Sequence, residues 1–351
     1  MNRKSVKILA AIVILALMAG IVVMIYTSQN TADLITLNVK SQFKSNLKLR
    51  NELQNNTEDI IVYTVGTAAP FPSNRAQTCT AVFVNGKFFV FDVGDGAVQS
   101  MESLDLPLMD VDEVFLTHLH SDHFIDLPYL INRSWQMGRS KKMKITGPVG
   151  TNAISEGSKL LLSQENQFRA DHHGTETMNL DVAASNSNEI IVPTQGELLV
   201  YNADGIKITA FDVGHEPVSP DFGYKIEYAG KKCVLSGDTN KNQNVIKHSA
   251  NADLLIHEAM LKDVIMQISE VAGELGNERN ATIIEDVTHY HSTNVDAAEV
   301  AAEANVKKLV LNHLAPVPDR KVIARLYTQG LSKIFNGDIV LANDGDKFII
   351  N

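Results

Sequence analysis

The chain is short of cysteine and of positive charge. Its 351 residues include two cysteines, Cys79 and Cys233, far apart in sequence and without CxxC spacing. That excludes a cysteine-built metal site and a disulfide framework. Both lie in apolar, strand-like surroundings where a free thiol acts as a small hydrophobe; an oxidising compartment would permit a bond between them without requiring one. Lys and Arg number 31 against 41 Asp and Glu, a formal net charge of −10. The whole-chain field therefore repels polyanions, and extended nucleic-acid binding is not expected. No internal sequence repeat marks a duplication. What is present is a hydrophobic fraction of 44%, that of a globular protein, on a chain long enough for a large core.

Arg3, Lys4 and Lys7 precede a charge-free apolar run over 8–26, about the length that crosses a bilayer. A cleavage site is poorly formed, because Leu17 stands at minus three before Gly20. The expected organisation is a signal anchor or signal peptide over 1–27, a polar tether over 28–59 and a catalytic domain over 60–351. The basic flank places the amino end in the cytoplasm and the remainder outside. The product is then membrane-anchored and faces the periplasm or exterior, or is secreted if cleaved.

Downstream, the patterning predicts strands at 60–65, 80–84, 87–92 and 114–117, with Asn85-Gly86 as a hairpin turn. Helices are expected at 124–137 and 152–162, and an exposed loop over 171–188. A second series of strands follows at 205–213, 222–227, 232–235 and 254–256. A partly helical stretch from about 283, a helix at 294–304 and a strand at 309–311 complete the pattern. Strands then helices, twice over, pack most economically as sheet on sheet with helices outside.

Five apolar runs end in metal-type ligands. These are Thr117-His118-Leu119-His120-Ser121-Asp122-His123, Gly214-His215, Ser236-Gly237-Asp238-Thr239, Ile256-His257-Glu258 and Asn312-His313. In an extended stretch, residues two apart point the same way, so His118 and His120 can grip one ion while Asp122 and His123 face a second. His215, Asp238 and His313 could complete the cage, with Asp238 as bridging candidate. Imidazoles and carboxylates together suit borderline ions such as zinc. A pair of such ions makes water a nucleophile, as in hydrolases.

These residues resemble the metallo-β-lactamase superfamily, and more narrowly its ribonuclease Z and arylsulfatase-type branch. The resemblance begins with Gly66-Thr67-Ala68-Ala69-Pro70 through Arg75 and Phe91-Asp92-Val93-Gly94-Asp95-Gly96. It continues through HxHxDH, the isolated His215, Ser-Gly-Asp-Thr, His-Glu-Ala, Tyr290-His291-Ser292-Thr293 and the final Asn-His-Leu, covering 60–351. It implies an α/β fold, the αββα metallo-β-lactamase sandwich, here preceded by a membrane-spanning or signal helix. It also implies two Zn2+, one held by His118, His120 and His215, the other by Asp122, His123 and His313, with Asp238 between them. Asp122, His291 and Glu258 would be catalytic, His291 protonating the leaving group with Glu258 in support, and Asp92 would orient a ligating imidazole. His120 stands where di-iron members carry a carboxylate, which favours zinc.

No segment over 137–201 has the Gly- and Pro-rich composition of the arm by which ribonuclease Z holds tRNA. With the negative charge and the export signal, this gives the expectation of an exported dinuclear zinc hydrolase of small anionic phosphodiester or sulfate esters, nucleic acid being an unlikely partner. Arg75 is a candidate to pair with a substrate oxygen, against the plainer reading of a surface arginine. Membrane contact runs through the N-terminal helix, and homodimerisation is left open. The alternatives are a lactone or β-lactam hydrolase on the same metals, or a non-catalytic membrane-tethered binding protein.

Overall fold

The computed structural model describes residues 12–23 and 30–351. The chain forms two compact units, 1–51 and 52–351. In the first, 12–23 is helical and a second helix runs over Asn30–Gln54, into the start of the second unit. That second helix contains neither Gly nor Pro and carries Asp33 in its first turn, where a carboxylate meets the positive end of the helix dipole. The tether expected over 28–59 is thus largely helix. The flanks of the apolar run, 8–11 and 24–26, lie outside the described residues. Among the described residues no helix is long and apolar enough to cross a membrane, so the expected spanning segment gains no support.

The second unit contains fourteen strands in two sheets. The first half supplies β1 (Ile60–Gly66), β2 (Cys79–Val84), β3 (Lys87–Phe91), β4 (Glu113–Phe115), β5 (Met143–Gly147) and β6 (Ser185–Glu189). The second supplies β7 (Glu197–Ala203), β8 (Ile206–Asp212), β9 (Phe222–Tyr228), β10 (Lys231–Leu235), β11 (Leu254–Met260), β12 (Lys308–Ala315), β13 (Asp338–Leu341) and β14 (Asp346–Ile350). The orders are β14-β1-β2-β3-β4-β5-β6 and β13-β12-β11-β10-β9-β8-β7. One exception crosses the halves: β14 returns to pair antiparallel with β1, Ile60 opposite Ile350.

The inner faces meet in one apolar core. Val62, Val82, Phe89, Phe91 and Phe115 of the first sheet pack with Ile208, Phe222, Tyr224, Leu235, Ile256 and Val310 of the second. Val234, Leu255, Leu309 and Leu311, on the other face of the second sheet, are covered by Ala297, Ala298, Val300 and Ala301 of the helix Asn294–Glu303. The alternation of strand side chains separates these two layers, and the result is the expected αββα sandwich. Cys79 and Cys233 are buried and free, as small hydrophobes should be.

Parallel pairing sets up the functional edge. β3, β4, β5 and β6 are mutually parallel, as are β10, β11, β12 and β13, and β8 runs with β10 because both oppose β9. Their carboxyl ends therefore gather along one side of the sandwich, where side chains from separate strands can converge. The loop expected over 171–188 is different: the helix Thr151–His173 extends into it, and Ser185–Glu189 forms an edge strand beside β5. Its Ser-Asn-Ser-Asn-Glu sequence has low strand propensity, but the ladder with β5 overrides it.

The helix Asn294–Glu303 opens with a capping box. Thr293 accepts from the Asp296 amide, and the Asp296 carboxylate accepts from the Thr293 amide at 2.9 Å. Thr293→Ala should lower stability by about 0.5–2 kcal/mol, measured by urea denaturation, and should loosen the His291-Ser292 segment that the cap terminates.

Candidate metal centre

Asp92 and Thr117 form the base of the site. Asp92 follows β3 with φ at 58°, a left-handed conformation that Asp tolerates better than most residues. This turns its carboxylate onto the end of β4, where it accepts from the Thr117 amide at 2.8 Å and the Thr117 hydroxyl at 2.9 Å. It also lies 2.9 Å from Nδ1 of His123. Thr117 Oγ1 in turn lies 3.0 Å from His118 Nδ1. Both imidazoles are thus held from behind, with Nε2 left for the interior.

Around that interior the donors fall into two groups sharing one carboxylate. His118 Nε2 lies 2.9 Å from His120 Nδ1, which is 3.5 Å from His215 Nε2. His215 is fixed from behind by the Tyr290 carbonyl, 3.0 Å from its Nδ1. In the other group, Asp122 Oδ2 is 3.6 Å from His123 Nε2 and 3.2 Å from His313 Nε2. Asp238 Oδ2 stands between them, 3.2 Å from His123, 3.4 Å from His313 and 3.9 Å from His118. Within each group the donor atoms lie within 4.8 Å of one another. All seven residues named from the sequence converge here.

Two backbone devices make the convergence possible. Glu258 pairs with Asn312 but Ala259 pairs with Leu314, so His313 is an extra, bulged residue in β12, with φ at 45°. The bulge swings its imidazole to the edge. Gly237 has φ of 65°, and a Cβ there would meet the Phe222 carbonyl oxygen at 2.5 Å. Only glycine lets the Ser-Gly-Asp-Thr turn approach β9 closely enough to deliver Asp238.

The electrostatics are those of a cation cage. Burial, with His123 beside it, holds His118 well below the usual histidine range, and burial also lowers His120 and His215. Three neutral imidazoles thus present lone pairs to one space. Burial alone would raise Asp122, but His123 and His313 outweigh it and hold its carboxyl at about 2. His123 itself is raised, because Asp238, Asp92 and Asp122 outweigh its burial. Its Nε2 has no hydrogen-bond partner. Two imidazole nitrogens 2.9 Å apart, and a buried nitrogen that faces two carboxylates without a hydrogen bond to either, fit a divalent cation of the zinc type.

His291 and Glu258 stand beside the cage. His291 Nδ1 is 2.8 Å from Glu258 Oε2, and the Thr239 amide donates to the other oxygen. Burial disfavours the imidazolium, yet Glu258, with Asp238 beyond it, raises His291 to about 9. A cavity of about 250 Å³ opens here, lined by Phe71, Met260, Ile283, Val287 and Tyr290 together with His291, Asp122 and Asp238. His257, one residue before Glu258 and hence on the opposite pleat, lies outside the donor groups. Arg75 does not face the cage. Its guanidinium donates to Thr67 Oγ1, the Ala342 carbonyl and Asn343 Oδ1, so it fastens the loop after β1 to the chain after β13. Sequence reasoning missed Asp221, which is buried with neither carboxylate oxygen hydrogen-bonded, 3.7 Å from His118 Nδ1. Burial, with Asp238 near, raises its carboxyl. No ligand motif marks it in Ser219-Pro220-Asp221-Phe222.

Comparison with known proteins places this geometry. A beta-lactamase superfamily domain matches residues 89–314. The ribonuclease Z of Mycobacterium marinum (strain ATCC BAA-535 / M) is 29% identical over 287 residues, 80% of this chain and 95% of the relative. That of Mycolicibacterium gilvum (strain PYR-GCK) is 31% identical over 261 residues, 73% and 85% of the two chains. The structure of human tRNase Z, short form, superposes with a TM-score of 0.59 at 25% identity, covering 82% of this chain and 98% of that one. The metallo-beta-lactamase fold protein YhfI from Bacillus subtilis, at 19% identity and a TM-score of 0.58, covers 84% of this chain and 100% of that one and attests the fold.

These matches correct two expectations. The relatives are ribonucleases by name, which overturns the exported hydrolase of small anionic esters and the view that nucleic acid is an unlikely partner. The error was to let a whole-chain charge of −10 stand for the field at the site, where a bound cation would be the dominant local charge. The composition of 137–201, which holds the helix Thr151–His173 and β6, does not decide the substrate. The coarser expectation of a metal-dependent hydrolase agrees with the matches. The sulfate-ester substrate and the membrane, signal and periplasm assignments draw no support from them.

Thr117→Val should strip a hydroxyl shared by Asp92, His118 and His123 while keeping the side-chain shape. Metal-free protein carrying it should be about 1–3 kcal/mol less stable in urea denaturation.

Proposed function

The chain belongs to the metallo-β-lactamase superfamily, and from that premise we propose that it is a dinuclear zinc phosphodiesterase that cleaves RNA in the manner of ribonuclease Z. One observation carries the reading: two groups of buried donors, His118, His120 and His215 on one side and Asp122, His123 and His313 on the other, share Asp238. Seven donors exceed what one tetrahedral ion uses. When bound, two zinc ions supply Lewis acidity and water activated near neutral pH.

The chain's own residues do the rest. Asp122, at the rim between His313 and His123, is placed to accept a proton from the attacking water. Glu258 holds His291 by Nδ1, which leaves Nε2 to protonate the departing ribose oxygen. An alkoxide of that kind is a poor leaving group, so a proton donor matters there. The apolar wall of Phe71, Ile283 and Val287 beside His291 limits water on the leaving side. Precursor tRNA transcripts are the substrate class that the ribonuclease Z and tRNase Z relatives support.

Full-length protein purified without chelator should contain two zinc ions per chain by elemental analysis. It should cut tRNA transcripts carrying a flanking extension, lose that activity to a chelator and regain it with zinc. A reproducible stoichiometry near one at full activity would sink the dinuclear arrangement, and two zinc ions with no cleavage of any RNA would sink the substrate.

His291→Ala should keep both metals and slow RNA cleavage by about 100-fold or more. Bis(4-nitrophenyl) phosphate, whose phenolate leaves without protonation, should be slowed far less. Equal slowing of both substrates with zinc content unchanged would show that His291 positions the substrate and is not the acid.

A further inference from the structure

The two main imidazoles of the cage are held unequally. His123 has a carboxylate in contact behind it, Asp92 at 2.9 Å. His118 has Thr117 Oγ1 at 3.0 Å and, slightly further back, Asp221 Oδ2 at 3.7 Å. Thr117 Oγ1 donates to Asp92 and can accept from His118. Asp221 has no such engagement. Its side chain is 0% exposed, and neither oxygen has a hydrogen-bond partner.

A buried carboxylate without a partner is costly unless something nearby answers its charge. The backbone holds it where it is: the Phe222 amide donates to the Thr117 carbonyl at 3.1 Å and the Val213 amide to the Asp221 carbonyl at 3.2 Å. Gly237 lies beside it, where an added Cβ would stand 3.4 Å from Asp221 Oδ1. Among the described residues no lysine or arginine ion-pairs with Asp92, Asp122 or Asp238, whose partners are all histidines, and the side chain that faces the Asp221 carboxyl is the imidazole of His118.

We propose that Asp221 is the positioning carboxylate for His118: it shares the Nδ1–H with Thr117, keeps Nε2 turned into the cage, and balances a cation held by His118, His120 and His215. It does for that donor group what Asp92 does for the other. An approach of about 0.7 Å would bring it to an ordinary N–H···O distance. The inference rests on the dinuclear zinc reading above.

The test is the isosteric, uncharged Asp221→Asn in the full chain, stripped of metal and titrated with zinc against a chromophoric chelator. The expected result is that one of the two zinc affinities falls about 10- to 100-fold, the other holds, and the melting temperature of the metal-free protein does not drop. Two unchanged affinities would overturn the proposal. So would a fall in both affinities together with a less stable metal-free protein, the mark of a merely structural residue. If the variant does not fold, the wild type answers. In its zinc form, labelled with 15N-histidine, the His118 Nδ1–H must be visible and slow to exchange, and a His118 ring protonated at Nε2 or exchanging freely overturns the proposal. A wild type that takes up no zinc overturns the dinuclear reading as well, whereas two zinc ions in the wild type and identical affinities in Asp221→Asn overturn this inference alone.

Discussion

Burying acidic side chains against one another is the constraint that governs this protein. Asp92, Asp122, Asp221, Asp238 and Glu258 are all at most 5% exposed along one edge of the sandwich, and the groups that answer them are imidazoles. Such a cluster would repel itself apart in a pliable chain. It is held by a core packed on both faces, by backbone amides that satisfy Asp92 and Glu258, and by strands whose termini cannot move independently. The fold itself therefore sets where the donors stand, as a metal site requires if it is to bind without refolding the chain.

The fold meets this constraint by spending its regularity at the edge. Strand interiors are ordinary, with Val, Ile and Phe in alternating layers. At the carboxyl ends regularity stops, in the left-handed turn at Asp92, the glycine turn before Asp238 and the bulge at His313. Left-handed backbone at a non-glycine residue carries a strain of about 1–3 kcal/mol. At Asp92 and His313 it falls on residues whose side chains brace or enter the cage, while other left-handed residues such as Asn85 and Asp204 lie in turns away from it. The same sheets that tolerate the strain also set the spacing of the two donor groups.

Much of this was legible in the sequence, and the parts that were not share a cause. HxHxDH declares itself because three His and one Asp within six residues have no economical packing role, and His215, Asp238 and His313 gained meaning from that anchor. Strands β1 to β4 were legible because a continuous or alternating apolar run bounded by turn residues has few other readings. Asp221 was not, because what distinguishes it is the absence of partners in three dimensions. β6 was not, because Ser-Asn-Ser-Asn-Glu becomes a strand only when β5 offers it a ladder. The bulge at His313 needs the register against β11, and the substrate needs relatives; neither can be read from a charge sum.

The latch on the loop after β1 bears on how the protein is made. Asp344 accepts from the amides of Thr67 and Ala76 and from the Thr67 hydroxyl. Arg75 reaches back to Ala342 and Asn343, and β14 completes the sheet beside β1. A chain emerging from the ribosome can thus assemble every donor of the cage while β1 is still an open edge and the adjoining loop is loose. Closure waits for contacts that span 277 residues, the kind of pairing that forms slowly. During that interval the nascent protein has a nearly finished metal site and an unpaired strand at once. That places its period of greatest exposure to aggregation in the interval before β14 joins the sheet.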